Sequence, residues 1–325
     1  MADSKPSYIS FHITNRCDAR CRHCRIWEQK EPSSPPADQF ARVIDEIDQW
    51  VGPTEIIIAG GEPLLTERTF HVLERASARN MQTLMATNGF LIDEKVASKL
   101  AQAGLKIANI SLDGFDHTHD KIRNRPGAYN LVMRAIESLY NAGIVVRICT
   151  VIMDDNLEQI TGLVDFLAKD GRVSGIFFQA MAQPFGPAEI KKGWWLTNPN
   201  FPRNTDRVHD LLDELLAMKR GGYFILNEDC QFPAMKAYFA NPERFSMAKC
   251  TVGDNGFSIN AGGDVLLCSF MEPVGNIMDG RTIRQIFESE GAKKLRERMH
   301  RCDINCHLLI NCSFDPSQLL TEGDK

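Results

Sequence analysis

The sequence predicts an α/β fold: a partial (β/α)6 barrel followed by a small, cysteine-rich α+β extension. Strand-like and helix-like segments alternate from residue 7 to about residue 220, a pattern that produces parallel strands joined by right-handed crossovers. From residue 250 this alternation gives way to a hairpin pattern and five cysteines. Because there are six strand–helix units, fewer than a closed eight-stranded barrel needs, we expect an open barrel.

The predicted strands are short apolar runs rich in β-branched residues. In chain order they are Tyr8–Ile13, Glu55–Ala59, Gln82–Ala86, Ile107–Leu112, Val145–Ile152 and Gly175–Gln179. The predicted helices have apolar residues at intervals of three and four, and they span Ala37–Trp50, Glu67–Ala78, Glu94–Ala103, Ala128–Ala142, Leu157–Lys169 and Val208–Arg220. Gly104 and Gly143 follow two of these helices, where a left-handed residue commonly ends a helix.

The remaining segments predict loops and a small second domain. Gly186–Arg203 is rich in Gly, Pro, Asn and Trp, and we expect it to form a loop over the barrel mouth. Gly256–Asn260 and Asp264–Cys268 flank a glycine pair and predict a hairpin. A helix is expected at Ile283–Met299. We therefore place a barrel at residues 7–222, an extension at residues 223–315 and a frayed tail at residues 316–325.

Composition and charge exclude several classes of protein. A net charge of −5 leaves no basic field to neutralise phosphates, so we expect no nucleic-acid partner. The sequence shows no signal peptide and no apolar run near the roughly 20 residues of a membrane span, so we expect a cytoplasmic protein without a membrane partner. Disulfides are disfavoured in that compartment, and the clustering of most of the ten cysteines therefore indicates metal ligation.

Three cysteines, Cys17, Cys21 and Cys24, immediately follow the first predicted strand, at the end of the barrel where active sites form. Three thiolates leave one iron of a [4Fe–4S] cube without a protein ligand, so that this iron can bind a small chelating molecule. Positive charge around the triplet favours thiolates, and it comes from Arg16, Arg20, Arg22 and Arg25. The alternative is a zinc site on Cys21 and Cys24 with two distant ligands, because C-x-x-C is common in zinc domains.

Four motifs, each at the end of a predicted strand, resemble those of the radical S-adenosylmethionine (SAM) superfamily. They are C-x-x-x-C-x-x-C at residues 17–24, GGEP at residues 60–63, TNG at residues 87–89 and SLDG at residues 111–114. The resemblance covers about two thirds of the chain. It implies a TIM-like partial barrel, a SAM-binding [4Fe–4S] cluster and SAM itself as cofactors.

The resemblance also implies roles for individual residues. The residues implied to bind SAM are Gly60, Gly61, Glu62, Thr87, Asn88, Ser111 and Asp113. Glu62 would contact the amino group of SAM, Ser111 and Asp113 would lie near its ribose, and His23 is a candidate neighbour of the adenine. An electron from a reducing partner such as flavodoxin or ferredoxin would cleave SAM to methionine and a 5′-deoxyadenosyl radical, which abstracts a hydrogen atom from an unactivated carbon.

Five cysteines near the C-terminus resemble the ligands of SPASM and twitch extensions, which hold auxiliary iron–sulfur clusters. Two four-cysteine clusters need more than five cysteines, so the resemblance implies one auxiliary [4Fe–4S] cluster. We favour Cys250, Cys268, Cys306 and Cys312 as its ligands, with Cys302 as the alternative ligand. Zinc is the competing hypothesis, since four thiolates suit tetrahedral zinc equally well.

Two further cysteines stand outside these groups. Cys149 lies within a predicted strand, and we expect a buried core thiol. Cys230 follows no apolar periodicity; it is either a partly buried residue without a role or the donor of a hydrogen atom to a product radical. The aromatic residues Trp194, Trp195 and Phe201 either line the substrate pocket or anchor their loop on the barrel.

These features together predict an enzyme that oxidises, epimerises or cross-links an unactivated C–H site of a biosynthetic substrate. Only 16 residues precede Cys17, too few for a peptide-recognition domain, which favours a small molecule such as a sugar or an aminocyclitol. A ribosomal-peptide maturase of the same superfamily is the alternative. A non-catalytic iron–sulfur or zinc protein is the hypothesis of another class, and it has no need of the GGEP and SLDG motifs.

Overall fold

A nine-stranded sheet forms the centre of the protein, in the strand order β6-β5-β4-β3-β2-β1-β7-β8-β9. The computed structural model describes residues 5–183, 191–243, 249–304, 306 and 310–311. Strands β1 to β6 pair in parallel with one another, and β7 pairs in parallel with β1; the β7–β8 and β8–β9 pairs are antiparallel. The strands are β1 Tyr8–His12, β2 Glu55–Ala59, β3 Gln82–Thr87, β4 Ile107–Ser111, β5 Val145–Ile152, β6 Gly175–Ala180, β7 Gly256–Ile259, β8 Asp264–Leu266 and β9 Gly275–Asn276.

The predicted open barrel is confirmed. Strands β1 to β6 begin at the predicted residues, and β6 lies at the end of the strand order without closing onto β1. Each strand ends where its apolar run gives way to the next helix or loop. The carboxyl ends of the parallel strands therefore meet at one rim, where the cysteine triplet and the other three motifs lie.

Helices connect the strands and cover one face of the sheet. Phe40 of the first helix packs on Phe11 of β1, with ring centroids 6.3 Å apart. No helix in the described parts of the chain is long and apolar enough to cross a membrane. The helices are α1 Ala37–Val51, α2 Arg68–Ala78, α3 Glu94–Gln102, α4 Asp116–Arg123, α5 Ala128–Asn141, α6 Ile160–Asp170, α7 Trp194–Thr197, α8 Thr205–Arg220, α9 Gln231–Ala240, α10 Val252–Asn255, α11 Ile283–Phe287 and α12 Glu290–His300.

The helix predicted at residues 283–299 is two helices, α11 and α12. Ser289 has extended backbone angles, and its hydroxyl accepts a hydrogen bond from Ala292 N–H at 3.2 Å. A serine in this position caps the start of a new helix. The apolar periodicity therefore continues across residues 283–299 although the helix is interrupted at Ser289. Helix α9 was also not predicted. Its Pro233 lies in the first turn, where backbone N–H groups have no partner within the helix, so a proline is tolerated there.

The face of the barrel sheet opposite the helices is half-buried. From Ala108 onward, strand β4 alternates between buried residues and partly exposed ones, and Ser111 belongs to the second set. In the register of the sheet Ser111 lies beside Cys149, and Cys149 lies beside Phe177. Cys149 is therefore partly exposed on this concave face, and the expectation of a buried core thiol is wrong. Strand periodicity places every second residue of β5 there.

The open edge of β6 is covered by backbone and by two asparagine side chains. Ile176 exchanges backbone hydrogen bonds with the segment around Ile225. Asn227 accepts from Phe178 N–H (2.8 Å) and donates to its carbonyl (2.9 Å). Asn311 does the same for the N–H (2.9 Å) and carbonyl (2.8 Å) of Ala180. Each amide thus takes the place of a strand residue along the edge.

Strand β1 links the barrel to the C-terminal extension. It pairs in parallel with β2 on one side and with β7 on the other. The register joins Phe11 to Ile58 of β2 and to Ile259 of β7. The extension therefore continues the barrel sheet, and the strand that leads into the cysteine triplet lies between the two.

Candidate cofactor site

The loop that carries the three N-terminal cysteines is held against the end of β2 by two backbone hydrogen bonds. Gly61 N–H donates to the carbonyl of Thr14 and Glu62 N–H donates to that of Arg16, each at 2.7 Å. A Cβ atom on Gly61 would lie 2.1 Å from the Arg16 carbonyl oxygen, and Gly60 has φ +128°. Both positions therefore require glycine. The two glycines let the end of β2 approach the cysteine loop, and the SAM contact implied for them stays a prediction.

Arg20 supports the backbone of the cysteine loop. Its Nη1 donates to the carbonyls of Cys17 (2.7 Å) and Ala19 (2.9 Å), and its guanidinium lies 4.9 Å from the ring centroid of Trp27. Trp27 Nε1 in turn donates to the carbonyl of Cys24 at 2.9 Å. The positive charge that we expected to act on the sulfurs thus holds carbonyl groups at this position.

The three thiols of the loop are desolvated and lie near one another. Burial raises the pKa of the Cys17 thiol to about 12, and Cys21 adds to this shift. Burial likewise raises the pKa of Cys24 to about 11, with Cys21 again contributing. Arg123 Nη1 lies 3.6 Å from Cys21 Sγ. This arginine ends α4, far along the chain, and the sequence analysis missed it because no local spacing connects it to the cysteines.

Glu62 is a fully buried carboxylate at the end of β2. It accepts hydrogen bonds from Leu64 N–H (3.2 Å), Thr87 Oγ1 (2.9 Å) and Asn88 N–H (2.9 Å). Burial raises its pKa to about 7, although these donors oppose the shift. The structure therefore places Thr87 and Asn88 on Glu62. Asn88 Nδ2 also donates to Asp18 Oδ1 at 2.8 Å, which ties the end of β3 to the cysteine loop.

Asp113 points into the protein and not toward the concave face. Its side chain is fully buried, with Oδ2 2.6 Å from Arg123 Nη2 and Oδ1 accepting from Val151 N–H at 3.0 Å. Burial alone would raise the pKa of this carboxyl, but Arg123 holds it below its usual value. The ribose contact implied for Asp113 stays a prediction; in this structure the carboxylate pairs with Arg123 inside the protein. Ser111 remains on the partly exposed face.

The residues on the cysteine loop fit an iron–sulfur cluster by their chemistry. Thiolates are the protein ligands that such clusters take, and the loop supplies three thiols whose charges interact. A buried carboxylate of raised pKa stands next to them. Within the described residues, no three His, Cys, Asp or Glu side chains form a group that could hold a single metal ion.

Three of the C-terminal cysteines are brought together by the extension. Cys250 precedes α10, Cys268 follows β8 and Cys302 follows α12. Burial raises the pKa of Cys250 to about 11, with Cys302 and Cys268 adding to the shift. Phe270 N–H also donates to Cys268 Sγ at 3.4 Å. Cys302, predicted as the alternative ligand, therefore lies with Cys250 and Cys268, and the choice of ligands stays a prediction.

Of the other two C-terminal cysteines, the structure describes Cys306 alone. Cys306 lies near the buried Tyr238, where it adds to the burial that raises the pKa of that phenol. The Tyr238 hydroxyl donates to the carbonyl of Met181, beyond the end of β6, at 2.9 Å. Cys312 lies outside the described residues. Cys230 is partly buried at the start of α9, and its role as a hydrogen donor stays a prediction.

The segment around α7 lies over the cysteine loop. Asn200 Nδ2 donates to the carbonyl of Arg22 at 3.1 Å. Phe201 is buried and packs edge-on against Trp194, with ring centroids 5.4 Å apart, and against Phe239 of α9 at 5.6 Å. Of the two interpretations of these aromatics, the contacts favour anchoring for Trp194 and Phe201. Residues 186–190 of the predicted covering loop lie outside the described part.

The fold and the site define a class of protein: an open α/β barrel with a three-cysteine loop at its rim and a cysteine-rich extension. Residues 11–167 match the radical SAM superfamily, and residues 250–313 match an iron–sulfur cluster-binding domain of the SPASM type. The chain is 31% identical to an AdoMet-dependent heme synthase of Oleidesulfovibrio alaskensis over 86% of this chain and 75% of that protein. It is 29% identical to the mycofactocin maturase MftC of Mycolicibacterium smegmatis over 90% of this chain and 73% of that protein.

A solved structure shares the fold. Streptococcus suis SuiB bound to S-adenosylmethionine superposes with a TM-score of 0.70 over 90% of this chain and 68% of that one, at 16% identity. The chain belongs to the radical SAM superfamily and carries a SPASM domain. The predicted family and fold are thereby confirmed. Membership implies a SAM-binding [4Fe–4S] cluster, an auxiliary iron–sulfur cluster and SAM as cofactors.

Proposed function

We propose that this radical SAM enzyme removes a hydrogen atom from an unactivated C–H bond of a small biosynthetic substrate and thereby oxidises it. The observation that carries the proposal is the loop of Cys17, Cys21 and Cys24 beside the buried carboxylate of Glu62. These three thiols would hold the cluster, which would supply the electron for reductive cleavage of SAM to methionine and a 5′-deoxyadenosyl radical. The protein's own residues bind SAM, orient it and keep water away.

Glu62 is the residue that we assign to the amino group of SAM. Its carboxylate is held in place by donors from two segments, Leu64 after β2 and Asn88 after β3. A cation that binds next to a desolvated carboxylate favours the ionised form. Ser111, on the concave face, is the candidate for the ribose. Half-buried polar side chains continue along this face, with Asn109 beside Arg147 in the register.

The proposed substrate class is a small molecule of the tetrapyrrole type, rather than the sugar or aminocyclitol expected from the sequence. The similarity to a protein named AdoMet-dependent heme synthase, over most of both chains, supports this choice. Arg147 on the concave face supplies a positive charge for a substrate carboxylate. The removed electron would pass to the auxiliary cluster, which we place on Cys250, Cys268, Cys302 and one further cysteine.

A peptide maturase is the second candidate function. It is supported by the similarity to the mycofactocin maturase MftC, which also extends over most of both chains. The two candidates differ in the substrate that stimulates SAM cleavage. Offering the enzyme iron-coproporphyrin in one reaction and a peptide library in another therefore tests the substrate class. Faster release of 5′-deoxyadenosine with a peptide, and not with a porphyrin, would favour the maturase.

Anaerobic reconstitution with iron and sulfide, followed by SAM and dithionite, tests the proposed chemistry. We expect 5′-deoxyadenosine to form well above the level of a Cys17→Ala control. If the two proteins release equal amounts, the enzyme proposal fails and a non-catalytic iron–sulfur or zinc protein takes its place. About eight irons per chain are expected if both sites hold cubes.

The fate of the substrate radical separates oxidation from epimerisation. Oxidation passes an electron to the auxiliary cluster, whereas epimerisation returns a hydrogen atom from a donor such as Cys230. Reaction in deuterated water would place deuterium on the product carbon only in the second case. Loss of that deuterium in a Cys230→Ala variant would then establish Cys230 as the donor and overturn the oxidation proposed above.

A further inference from the structure

An ion pair between Arg123 and Asp113 lies inside the protein directly behind the cysteine loop. Their side chains are 7% and 0% exposed, and Arg123 Nη2 lies 2.6 Å from Asp113 Oδ2. Burying two charges costs more free energy than most such pairs return. A buried ion pair at this position therefore calls for an explanation other than the stability of the fold.

A second contact of Arg123 supplies this explanation for the buried ion pair. While Nη2 faces Asp113, Nη1 is 3.6 Å from Cys21 Sγ. The two nitrogens of one planar guanidinium thus connect a carboxylate to a cluster ligand. A lysine has no such fork and cannot serve two partners in this fixed geometry. The arrangement orients the positive end of the pair toward the sulfur.

The other titratable groups near Arg123 are histidines. Burial, reinforced by the charge of Arg123, lowers the pKa of both His23 and His119 to about 4. His119 Nδ1 accepts a hydrogen bond from Asp113 N–H at 3.1 Å, so its proton resides on Nε2. The two Nη atoms of Arg123 instead contact Asp113 and Cys21.

We infer that Arg123 is a positioning residue for the SAM-binding cluster: held by Asp113, it donates an N–H to the Cys21 sulfur and so eases one-electron reduction. The inference rests on the proposed function, because it takes Cys21 to be a cluster ligand. Reduction adds one negative charge to the cluster and moves no proton. A hydrogen bond to a ligand sulfur and a nearby cation both stabilise the reduced form and raise its reduction potential.

The two members of the pair should act in opposite directions. Arg123→Gln removes the cation, so we expect a lower midpoint potential. Asp113→Asn keeps the shape of the side chain but removes the anion that offsets Arg123, so we expect a higher midpoint potential. We expect each change to alter the equilibrium constant for reduction by roughly tenfold, which is about 59 mV for one electron. A purely structural pair would not give opposite signs.

Redox titration of the anaerobically reconstituted full chain, followed by electron paramagnetic resonance, measures both potentials. The signal that changes when SAM is added identifies the N-terminal cluster, and the auxiliary cluster is an internal reference whose potential should not move. Arg22→Gln is the matched control. It removes an equal charge from the same loop, but this side chain pairs with Asp155 at the surface, at 2.9 Å.

Several results would overturn the inference. Unchanged potentials in Arg123→Gln and Asp113→Asn would do so, as would shifts of the same sign in both. A loss of SAM affinity without a change in potential would assign Arg123 to SAM instead. If neither variant takes up iron at the N-terminal site, the pair is part of the loop's framework and the inference also fails. Absence of a SAM-sensitive signal in the wild-type protein would refute the proposed function itself.

Discussion

Glu62 shows how burial changes the acidity of a single residue at the proposed SAM site. Its carboxylate is completely enclosed, yet three donors keep it oriented. Desolvation is the largest cause of its raised pKa, about 7. In SAM-free protein the group is therefore divided between its two protonation states near neutral pH, and a bound ammonium group selects the ionised one.

This raised pKa predicts how SAM binding depends on pH. Below about pH 7, protonated Glu62 must lose its proton before it can pair with SAM, so the dissociation constant should rise by roughly tenfold per pH unit. Equilibrium dialysis of the cluster-loaded protein at several pH values measures this slope. In Glu62→Gln, SAM should bind weakly at pH 7 and with little change on acidification. Equal slopes in the two proteins would contradict the assignment.

Individual residues also show the limits of sequence motifs. The SLDG motif singled out Asp113 but did not predict its ion pair with Arg123, because a motif records residue type and spacing and not side-chain direction. Arg123, which contacts Cys21 Sγ, could not be found at all. Its approach to the loop depends on where α4 ends, at the left-handed Asn124.

At the scale of elements, the close approach of β2 to the cysteine loop depends on two glycines. The backbone hydrogen bonds of Gly61 and Glu62 to the loop require that no side chain stand between the segments. The motif therefore has a structural purpose in addition to the one implied for SAM. It fixes the distance between the cluster ligands and Glu62.

Replacing Gly61 by alanine should separate these elements. Its Cβ would meet the Arg16 carbonyl at 2.1 Å, so the cysteine loop must move and we expect the N-terminal site to lose most of its iron. Iron and sulfide counts after reconstitution should fall by roughly half, because the auxiliary site is untouched. Gly162→Ala is the control: in α6 the nearest atom is 3.8 Å away. Full iron content in Gly61→Ala would refute this role.

Elements were predictable where one local pattern decides them. The six barrel strands follow from apolar runs that must be buried between helices and neighbouring strands, and all six begin where predicted. The break between α11 and α12 depends instead on one hydroxyl of Ser289. The grouping of Cys250 with Cys302 depends on where α12 ends in the folded protein. Sequence spacing alone does not predict that position.

At the scale of the whole molecule, Asn311 fastens the C-terminal segment to the barrel. Its amide pairs with both backbone groups of Ala180 at the end of β6, and Gln231 Nε2 donates to the neighbouring carbonyl of Ile310 at 2.7 Å. These contacts lie next to Tyr238 and Cys306. The edge of the barrel, Tyr238 and Cys306 are therefore parts of one arrangement.

Removing the Asn311 amide should destabilise this arrangement. In Asn311→Ala the buried N–H and carbonyl of Ala180 lose their partners, and we expect the free energy of unfolding to fall by about 2–4 kcal/mol. Anaerobic urea unfolding of the cluster-loaded protein measures the change. Asn130→Ala, at an exposed helical position, should have little effect. A midpoint for Asn311→Ala equal to that of wild type would show that the edge does not need this amide.

The parallel pairing of β1 with β7 has a consequence for dissecting the protein. A fragment that stopped after α8 would leave one side of β1 bare, in the strand that runs into the triplet. Other chains can pair with an unpaired strand edge, so such a fragment would tend to precipitate before it could be loaded with iron. The two sequence regions are best produced and studied as a single piece.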